Sequence, residues 1–539
     1  MNLTKEQQLA VDLEGSNIIV SAGAGSGKTA VLSERVIRKL KDGVDIRDIL
    51  ILTFTNEAAG EMSTRIRKKM KKAGLDEQLV FLDQAYIMTF DAFALNLVKK
   101  YHYILNMSKD ISIIDASIIG LKKKKFLEEI FLSLYEEKNS NFLEMINNFT
   151  RLDDDTIVEA ILNINECLDL KYDKDKYLDS YINNFYSDTY VNKIFDEYFM
   201  YVKELSLKLE DLVLSIENFM DDASYEKVYD TLSKLFRPNK YDDLYRYKDV
   251  TLPKFMKLDS DGIKIKEEIK DTFSELKELI YYSEDELKSY YLDTKKYVEV
   301  IIEIIKMLDE KVNKYKYEHN AFEFSDIAKL AIKIVAEHED IRLELKNKFN
   351  EIMIDEYQDT NDLQETFISF LENDNVYMVG DIKQSIYRFR NANPMIFKEK
   401  YDKYTNNDGG KKIDLLKNFR SREEVLFNIN EVFAPLMTKD IGGINYKESH
   451  AMIYGNLAYI KKGSNSNNNY MDILEYHNED KKFSNDEIEM IDYNTYKVNL
   501  FLDKVSSSVQ EEITELTNEK KTFYIPFFSI FNNPLFCFQ

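Results

Sequence analysis

The sequence predicts an α/β fold: a parallel sheet with crossover helices, a large inserted α-helical domain, and the start of a second sheet domain. Three observations carry this. Residues 1–100 alternate short apolar runs, Ile18–Val20 and Ile49–Phe54, with helix patterns, the rhythm of a parallel sheet. Residues 101–345 hold long charged segments with apolar residues at helical spacing and little glycine. From 346 the strand rhythm returns in Glu351–Asp355, Val376–Gly380 and Ile413–Leu416. Each of these runs ends in polar residues, where open α/β sheets bind ligands. The expected domains are 1–100 with 346–405 as the first sheet domain, 101–345 as the insert, 406–455 as the start of the second, and 456–539 as a divergent tail.

Composition narrows the function classes. The chain has 539 residues, 44% apolar and 31% charged, a globular composition with length for three or four domains. Its net charge of −23 excludes a basic nucleic-acid coat, because neutralising phosphates needs a local surplus of Lys and Arg. Any DNA contact must come from a localised groove. Cys167 and Cys537 are far apart and the five histidines are scattered, so neither a disulfide framework nor a zinc site is expected. The start, MNLTKEQQLAVDLEG, lacks the basic and apolar blocks of a signal peptide, and no apolar run reaches the roughly 18 residues of a membrane span. The expected compartment is a reducing cytoplasm, with no membrane contact.

The first strand runs into Ala22-Gly23-Ala24-Gly25-Ser26-Gly27-Lys28-Thr29, and a helix pattern, Ala30 to Val36, follows. Glycines let such a loop turn its backbone N–H groups toward phosphate oxygens, and the helix start adds positive dipole. Lys28 is expected to reach the β- and γ-phosphates and Thr29 to bind Mg²⁺. Ala22 stands where the usual pattern begins with glycine.

Such a loop needs an acidic partner at the end of another strand. Glu351-Ile352-Met353-Ile354-Asp355-Glu356 supplies it. Asp355 is expected to hold Mg²⁺ opposite Thr29, and Glu356 to orient and deprotonate the attacking water. The reaction implied is hydrolysis of a nucleoside triphosphate, with ATP and Mg²⁺ as the ligands.

In the insert, Ile269, Phe273, Leu276 and Ile280 make one apolar stripe, and Val298, Ile301, Ile305, Leu308 and Val312 a second. Both read as ordinary helix core. The run Lys122–Lys125 reads as a solvated face.

Asp355-Glu356-Tyr357-Gln358-Asp359-Thr360-Asn361 closely resembles the DExQDTN signature of UvrD/Rep-type superfamily-one DNA helicases. Other matches follow in the family's order. Leu3 to Val11, with Gln7, resembles the adenine-recognition motif. Leu52 to Ala59, with Phe54, Asn56, Glu61, Met62 and Arg65, resembles a motif that grips single-stranded DNA. Thr89-Phe90-Asp91-Ala92-Phe93 resembles the next, with Asp91 where a histidine is common. Val379 to Arg390 and Asn418-Phe419-Arg420-Ser421 resemble two more.

Finer features resemble the AddA branch, the motor-plus-nuclease component of AddAB machines: Lys383 within GDIKQSIYRFR, Phe419 to Arg422 with Glu424 to Leu426, Phe322 to Asp326, and Arg151 to Asp154. The resemblance covers residues 1 to about 455.

The resemblance implies a RecA-like fold for both sheet domains, and it implies residue roles. Gln384 would sense the γ-phosphate, Arg420 would stabilise charge on it, and Phe419 would stack on adenine. Phe54, Asn56, Arg65, Asp91, Tyr387, Phe389 and Arg390 would contact DNA, the aromatics by sequence-tolerant stacking. Taken alone, Phe54 and Phe389 read equally well as core. The family implies 3′ to 5′ movement on single strands, action on single- and double-stranded DNA in double-strand-break repair, and an AddB-like partner.

Two later helicase motifs and a carboxylate-rich nuclease domain are not found. Phe523–Gln539 holds seven aromatic residues and no charge. It is expected to be the out-of-frame product of a frameshift or premature stop, beginning near Asp492, with a buried edge or a partner-docking strand as the alternatives. Weak unwinding and no nuclease activity are therefore expected of this chain. Two other readings stay open: a Rep/UvrD-type helicase without nuclease, and an inert or regulatory ATP- and DNA-binding fragment.

Overall fold

The computed structural model describes residues 3–150, 153–255, 258, 260–438 and 444–456. Arg151, Leu152, the polar loop at 464–469 and the tail from 457 with Asp492, Phe523–Gln539 and Cys537 lie outside the described residues. The described residues form two compact units: one from Met1–Ala116, Leu170–Tyr172 and the chain from Lys316 onward, the other from Ser117–Asp169 and Asp173–Tyr315.

The first unit is a RecA-like α/β domain. Its strands are β1 (Ile18–Ala22), β2 (Ile49–Thr53), β3 (Tyr86–Thr89), β4 (Glu351–Ile354), β5 (Val376–Gly380) and β6 (Lys411–Leu415), in the order β3-β2-β4-β5-β1-β6. All pairs are parallel; Ile354 lies opposite Met378, and Val20 opposite both Val379 and Ile413. Its principal helices are α1 (Lys5–Asp12), α2 (Lys28–Lys41), α3 (Asn56–Ala73), α4 (Phe90–Lys100), α5 (Phe324–Glu337), α6 (Glu339–Lys348), α7 (Asp362–Leu371), α8 (Pro394–Thr405) and α9 (Glu423–Leu436).

The strands are apolar throughout because both faces are covered. Val20, Ile51, Met353 and Tyr377 face a layer holding Val11 of α1, Leu32 of α2 and Ile66 of α3. Their neighbours Ile19, Leu52, Ile354 and Met378 face Phe93 of α4, Ala331 of α5 and Phe367 of α7. Each fully buried aliphatic side chain contributes about 1.5–3 kcal/mol, so this three-layer core is the platform on which the loops stand. Helix starts are set locally. Thr4 and Gln7 form a reciprocal capping box on α1, and Asn361 and Gln364 form one on α7.

The second unit is helical. Ile269, Phe273, Leu276 and Ile280 are buried against Val202, Leu209 and Val213 of the helix Asp188–Ser215. In the helix Lys295–His319, Val298, Ile305, Leu308 and Val312 are buried and Ile301 is half-buried.

Three expectations need correction. Residues 101–116 and 316–345 belong with the sheet unit rather than the insert. The reason is α5, whose apolar face (Ile327, Ala331, Ile334) completes the core over α4 and α7. Next, residues 411–415 do not open a second domain: β6 is the edge strand beside β1, with Gly23 N–H donating to Leu415 O (3.2 Å) and Lys411 N–H to Asn17 O (2.8 Å). Finally, the run Lys122–Lys125 is not uniformly solvated. Lys123 is buried and paired with Asp169 at 2.6 Å, and Lys122 lies 4.9 Å from the Tyr315 ring.

Candidate functional site

The site forms where β1, β4 and β5 end. Ala22 is the last residue of β1 and fully buried in the core, so its methyl fills space in the sheet and the loop proper starts at Gly23. Gly25 and Gly27 have φ of +68° and +91°, a region costly for other residues. At Gly25 a Cβ would lie 2.8 Å from the Arg420 Cβ and 2.9 Å from the Asn418 amide. Lys28 and Thr29 open α2.

Around this loop the structure assembles residues distant in sequence. Lys28 Nζ donates to Glu356 Oε2 at 2.6 Å and lies 3.5 Å from Gln384 Oε1. Glu356 adopts the left-handed conformation (φ +51°) just after β4, and its N–H donates to Asp355 Oδ1 at 3.1 Å. That strained turn aims consecutive carboxylates differently. Gln358 Nε2 donates to Glu356 Oε2 (2.9 Å), and Gln384 Nε2 to Asp381 Oδ2 (2.7 Å).

Burial and the neighbouring Glu356 push the Asp355 carboxyl up to about 6, with Lys28 pulling the other way. Asp359 rises to about 6 for the same two reasons. Burial alone raises Asp91.

On one side, Gln7 Nε2 donates to Ser26 O at 2.8 Å, and Thr4, Gln7, Ser26, Leu416, Lys417 and Phe419 line a small cleft. The segment Asn418–Arg420 straps the loop: Phe419 N–H donates to Gly25 O (2.9 Å), and Asn418 Nδ2 to Ala24 O (2.7 Å). The Arg420 and Ser421 N–H groups both donate to Asn418 Oδ1 at 2.8 Å. This strap puts Phe419 and Arg420 beside the phosphate loop.

On the other side is an aromatic cluster. The Phe54 and Tyr387 rings are 4.6 Å apart and Tyr387 and Phe389 5.8 Å, with the Arg390 guanidinium 5.5 Å from the Tyr387 centroid. Phe389 is 76% exposed, so it is not core. Asn56 and Arg65 are exposed on α3. Asp91 instead sits among the residues lining a cavity of ≈ 300 Å³ with Phe54, Phe90, Asp355, Asp359 and Arg390.

The donor set fits a nucleoside triphosphate with Mg²⁺. The Ser26 hydroxyl is buried without a partner inside the loop, the positive-φ glycines leave a cradle that a Cβ would fill, and Lys28 supplies a cation. Thr29 and Asp355 offer the one hydroxyl and one carboxylate that Mg²⁺ needs beside phosphate and water oxygens.

Sequence reasoning missed several members of this site. Arg35 and Glu351 form a nearly fully buried pair, Nε to Oε1 at 3.0 Å, tying α2 to β4; the Arg35 guanidinium lies 4.4 Å over the Tyr377 ring. The signal was a lone charge on each apolar element, Arg35 in Val31–Ile37 and Glu351 at the head of β4. The strapping by Asn418 and the bridging by Gln358 were also missed. Glu323 and Asp326 of the Phe322–Asp326 motif pair with buried Lys316 at 2.7 and 2.6 Å, which makes that motif the anchor of α5.

Among the described residues, no helix is long and apolar enough to cross a membrane. The model of the UvrD/REP helicase N-terminal domain matches residues 3–405. Three curated relatives are named as ATP-dependent helicase/nuclease subunits of the AddA type. The one from Lactobacillus johnsonii is 32% identical over 503 residues, 85% of this chain and 42% of its own. The one from Alkaliphilus oremlandii is 33% identical over 496 residues, 84% and 41%. The one from Clostridium novyi is 32% identical over 509 residues, 84% and 40%. The chain thus spans about two fifths of the length of these relatives.

Proposed function

The chain belongs to the UvrD/REP helicase N-terminal domain family, and from that premise we propose that it is the ATP-binding motor part of an AddA-type DNA helicase/nuclease. The observation that supports this best is the convergence of Lys28, Glu356 and Gln384 at the ends of three parallel strands, beside the Phe54–Tyr387–Phe389 cluster.

In this reading the loop from Gly23 to Thr29 cradles the phosphates, Lys28 faces the β- and γ-phosphates, and Gln7 and Phe419 hold the base. Thr29 and Asp355 hold Mg²⁺, which supplies charge neutralisation at the phosphates when bound. Glu356 orients the attacking water and accepts its proton. Gln384 senses the γ-phosphate, and Arg420 stabilises charge developing on it. Phe54, Tyr387 and Phe389 stack on bases, while Asn56, Arg65 and Arg390 meet the backbone. Asp91 closes the cavity between these two regions. Local aromatic grip reconciles DNA binding with a net charge of −23. The motor runs 3′ to 5′ on single-stranded DNA, pairs with an AddB-like partner, and serves double-strand-break repair in the cytoplasm.

The test is ATP hydrolysis by the purified chain with and without single-stranded DNA, in wild type and Lys28→Ala. The reading expects Mg²⁺-dependent hydrolysis stimulated by DNA and lost in the variant. Activity indifferent to Lys28 would refute it.

A further inference from the structure

We propose that Gln358 is a positioning residue that holds the Glu356 carboxylate and couples it to the segment carrying Gln384 and the DNA-facing aromatics. The inference rests on the ATP-hydrolysis reading above and extends it to a residue with no role there.

Gln358 is 1% exposed, and its amide is used at both ends. Nε2 donates to Glu356 Oε2 at 2.9 Å and lies 3.3 Å from Asp359 Oδ2, while Oε1 accepts the Asp381 N–H at 2.8 Å. The reversed amide would set oxygen against two carboxylates and nitrogen against an N–H, so the orientation is fixed by its partners. Space is fixed too: a Cβ at Gly380 would lie 2.5 Å from Gln358 Oε1, so only glycine at the end of β5 lets the amide through.

These bonds close a ring. Lys28 Nζ meets Glu356 (2.6 Å), Glu356 meets Gln358 (2.9 Å), and Gln358 meets the Asp381 backbone (2.8 Å). Asp381 Oδ2 meets Gln384 Nε2 (2.7 Å), and Gln384 Oε1 returns to Lys28 (3.5 Å). Two further bonds stitch the same loops, Ser385 Oγ to Gln358 O (3.3 Å) and Asn393 N–H to Thr360 O (2.9 Å). When a phosphate draws Lys28 away, Glu356 loses its cationic partner. Gln358 then remains as the donor that keeps the carboxylate from swinging. Because the 381–390 segment carries both Gln384 and Tyr387–Arg390, any shift there on DNA binding reaches Glu356 through the Asp381 N–H and Gln358.

Two variants separate this from a structural role. Gln358→Met removes donor and acceptor; Gln358→Glu keeps an acceptor for Asp381 and loses the donor to Glu356. Steady-state hydrolysis, Mg·ATP affinity, DNA stimulation and the thermal midpoint are measured for both against wild type. The expected result is DNA-stimulated kcat lowered by about 10- to 100-fold, with the stimulation ratio falling toward unity. ATP affinity stays within about threefold of wild type in both variants, a change far smaller than the loss in kcat. Unchanged kcat and stimulation in both variants would overturn the proposal. So would losses of kcat, affinity and thermal midpoint in proportion, which mark a merely structural residue. A wild type that binds ATP without hydrolysing it defeats the parent reading first, and this inference falls with it.

Discussion

Lys28 and Glu356, 328 positions apart in sequence, form an ion pair of 2.6 Å at the ends of β1 and β4. The cation expected to face phosphate and the carboxylate expected to face water hold each other in the nucleotide-free site, and nucleotide binding must part them.

The two partners therefore give different phenotypes. Lys28→Ala is expected to weaken nucleotide binding and abolish hydrolysis. Glu356→Gln is expected to retain nucleotide while turnover falls by about 10²- to 10⁴-fold, the range for losing a general base. Filter binding and phosphate release on the same preparations check this; parallel loss of both properties in Glu356→Gln would count against the assignment.

Asp355 sets a pH dependence. Its carboxyl is held up to about 6 by burial and by Glu356. The folded state thus favours the protonated form, and the stability this group contributes is present in acid and lost as pH rises from about 4 through 6. Mg²⁺ needs the ionised form, so Mg²⁺-dependent hydrolysis is expected to fall away below about pH 6. Asp355→Asn removes a buried charge at pH 8 and is expected to raise the thermal midpoint by roughly 2–4 °C while abolishing hydrolysis. Calorimetric melts and a pH–rate profile read both signs.

Breaking Arg35–Glu351 leaves one charge alone in the core. Glu351→Ala is expected to cost about 3–5 kcal/mol in urea unfolding, whereas Arg35→Met with Glu351→Leu is expected to cost much less. Equal losses would show that the pair itself, and not the stranded charge, carries the energy.

Phe389 is exposed, so Phe389→Ala is expected to leave the thermal midpoint unchanged while weakening single-stranded DNA binding by about 1–3 kcal/mol, the range for one stacked base. Fluorescence anisotropy with a labelled oligonucleotide measures it; a fall in stability without a fall in affinity would make Phe389 a packing residue.

The sequence displayed whatever its chemistry keeps contiguous. Gly23 to Thr29 and Asp355-Glu356 were legible because a phosphate cradle and a strand-end carboxylate pair need neighbouring residues. The stripes Ile269–Ile280 and Val298–Val312 were legible because helical period is local. Sheet membership was not: Lys411–Leu415 reads as a strand, but only its pairing with β1 assigns it to the first sheet. Buried charges were hidden for a similar reason. Lys123 and Arg35 resemble solvated residues until Asp169 and Glu351 are seen opposite them. Gln358 was visible as part of a motif, yet its work depends on an N–H donated by Asp381, 23 positions away.

The most direct test of the nucleotide site is a titration of Mg·ATP against the intact chain, wild type and Lys28→Ala, followed by calorimetry. One saturable, Mg²⁺-dependent site is predicted in wild type, weakened by about 10- to 100-fold when the charged partner of the phosphates is removed. Equal binding in the two proteins, or no saturable binding in wild type, would contradict it.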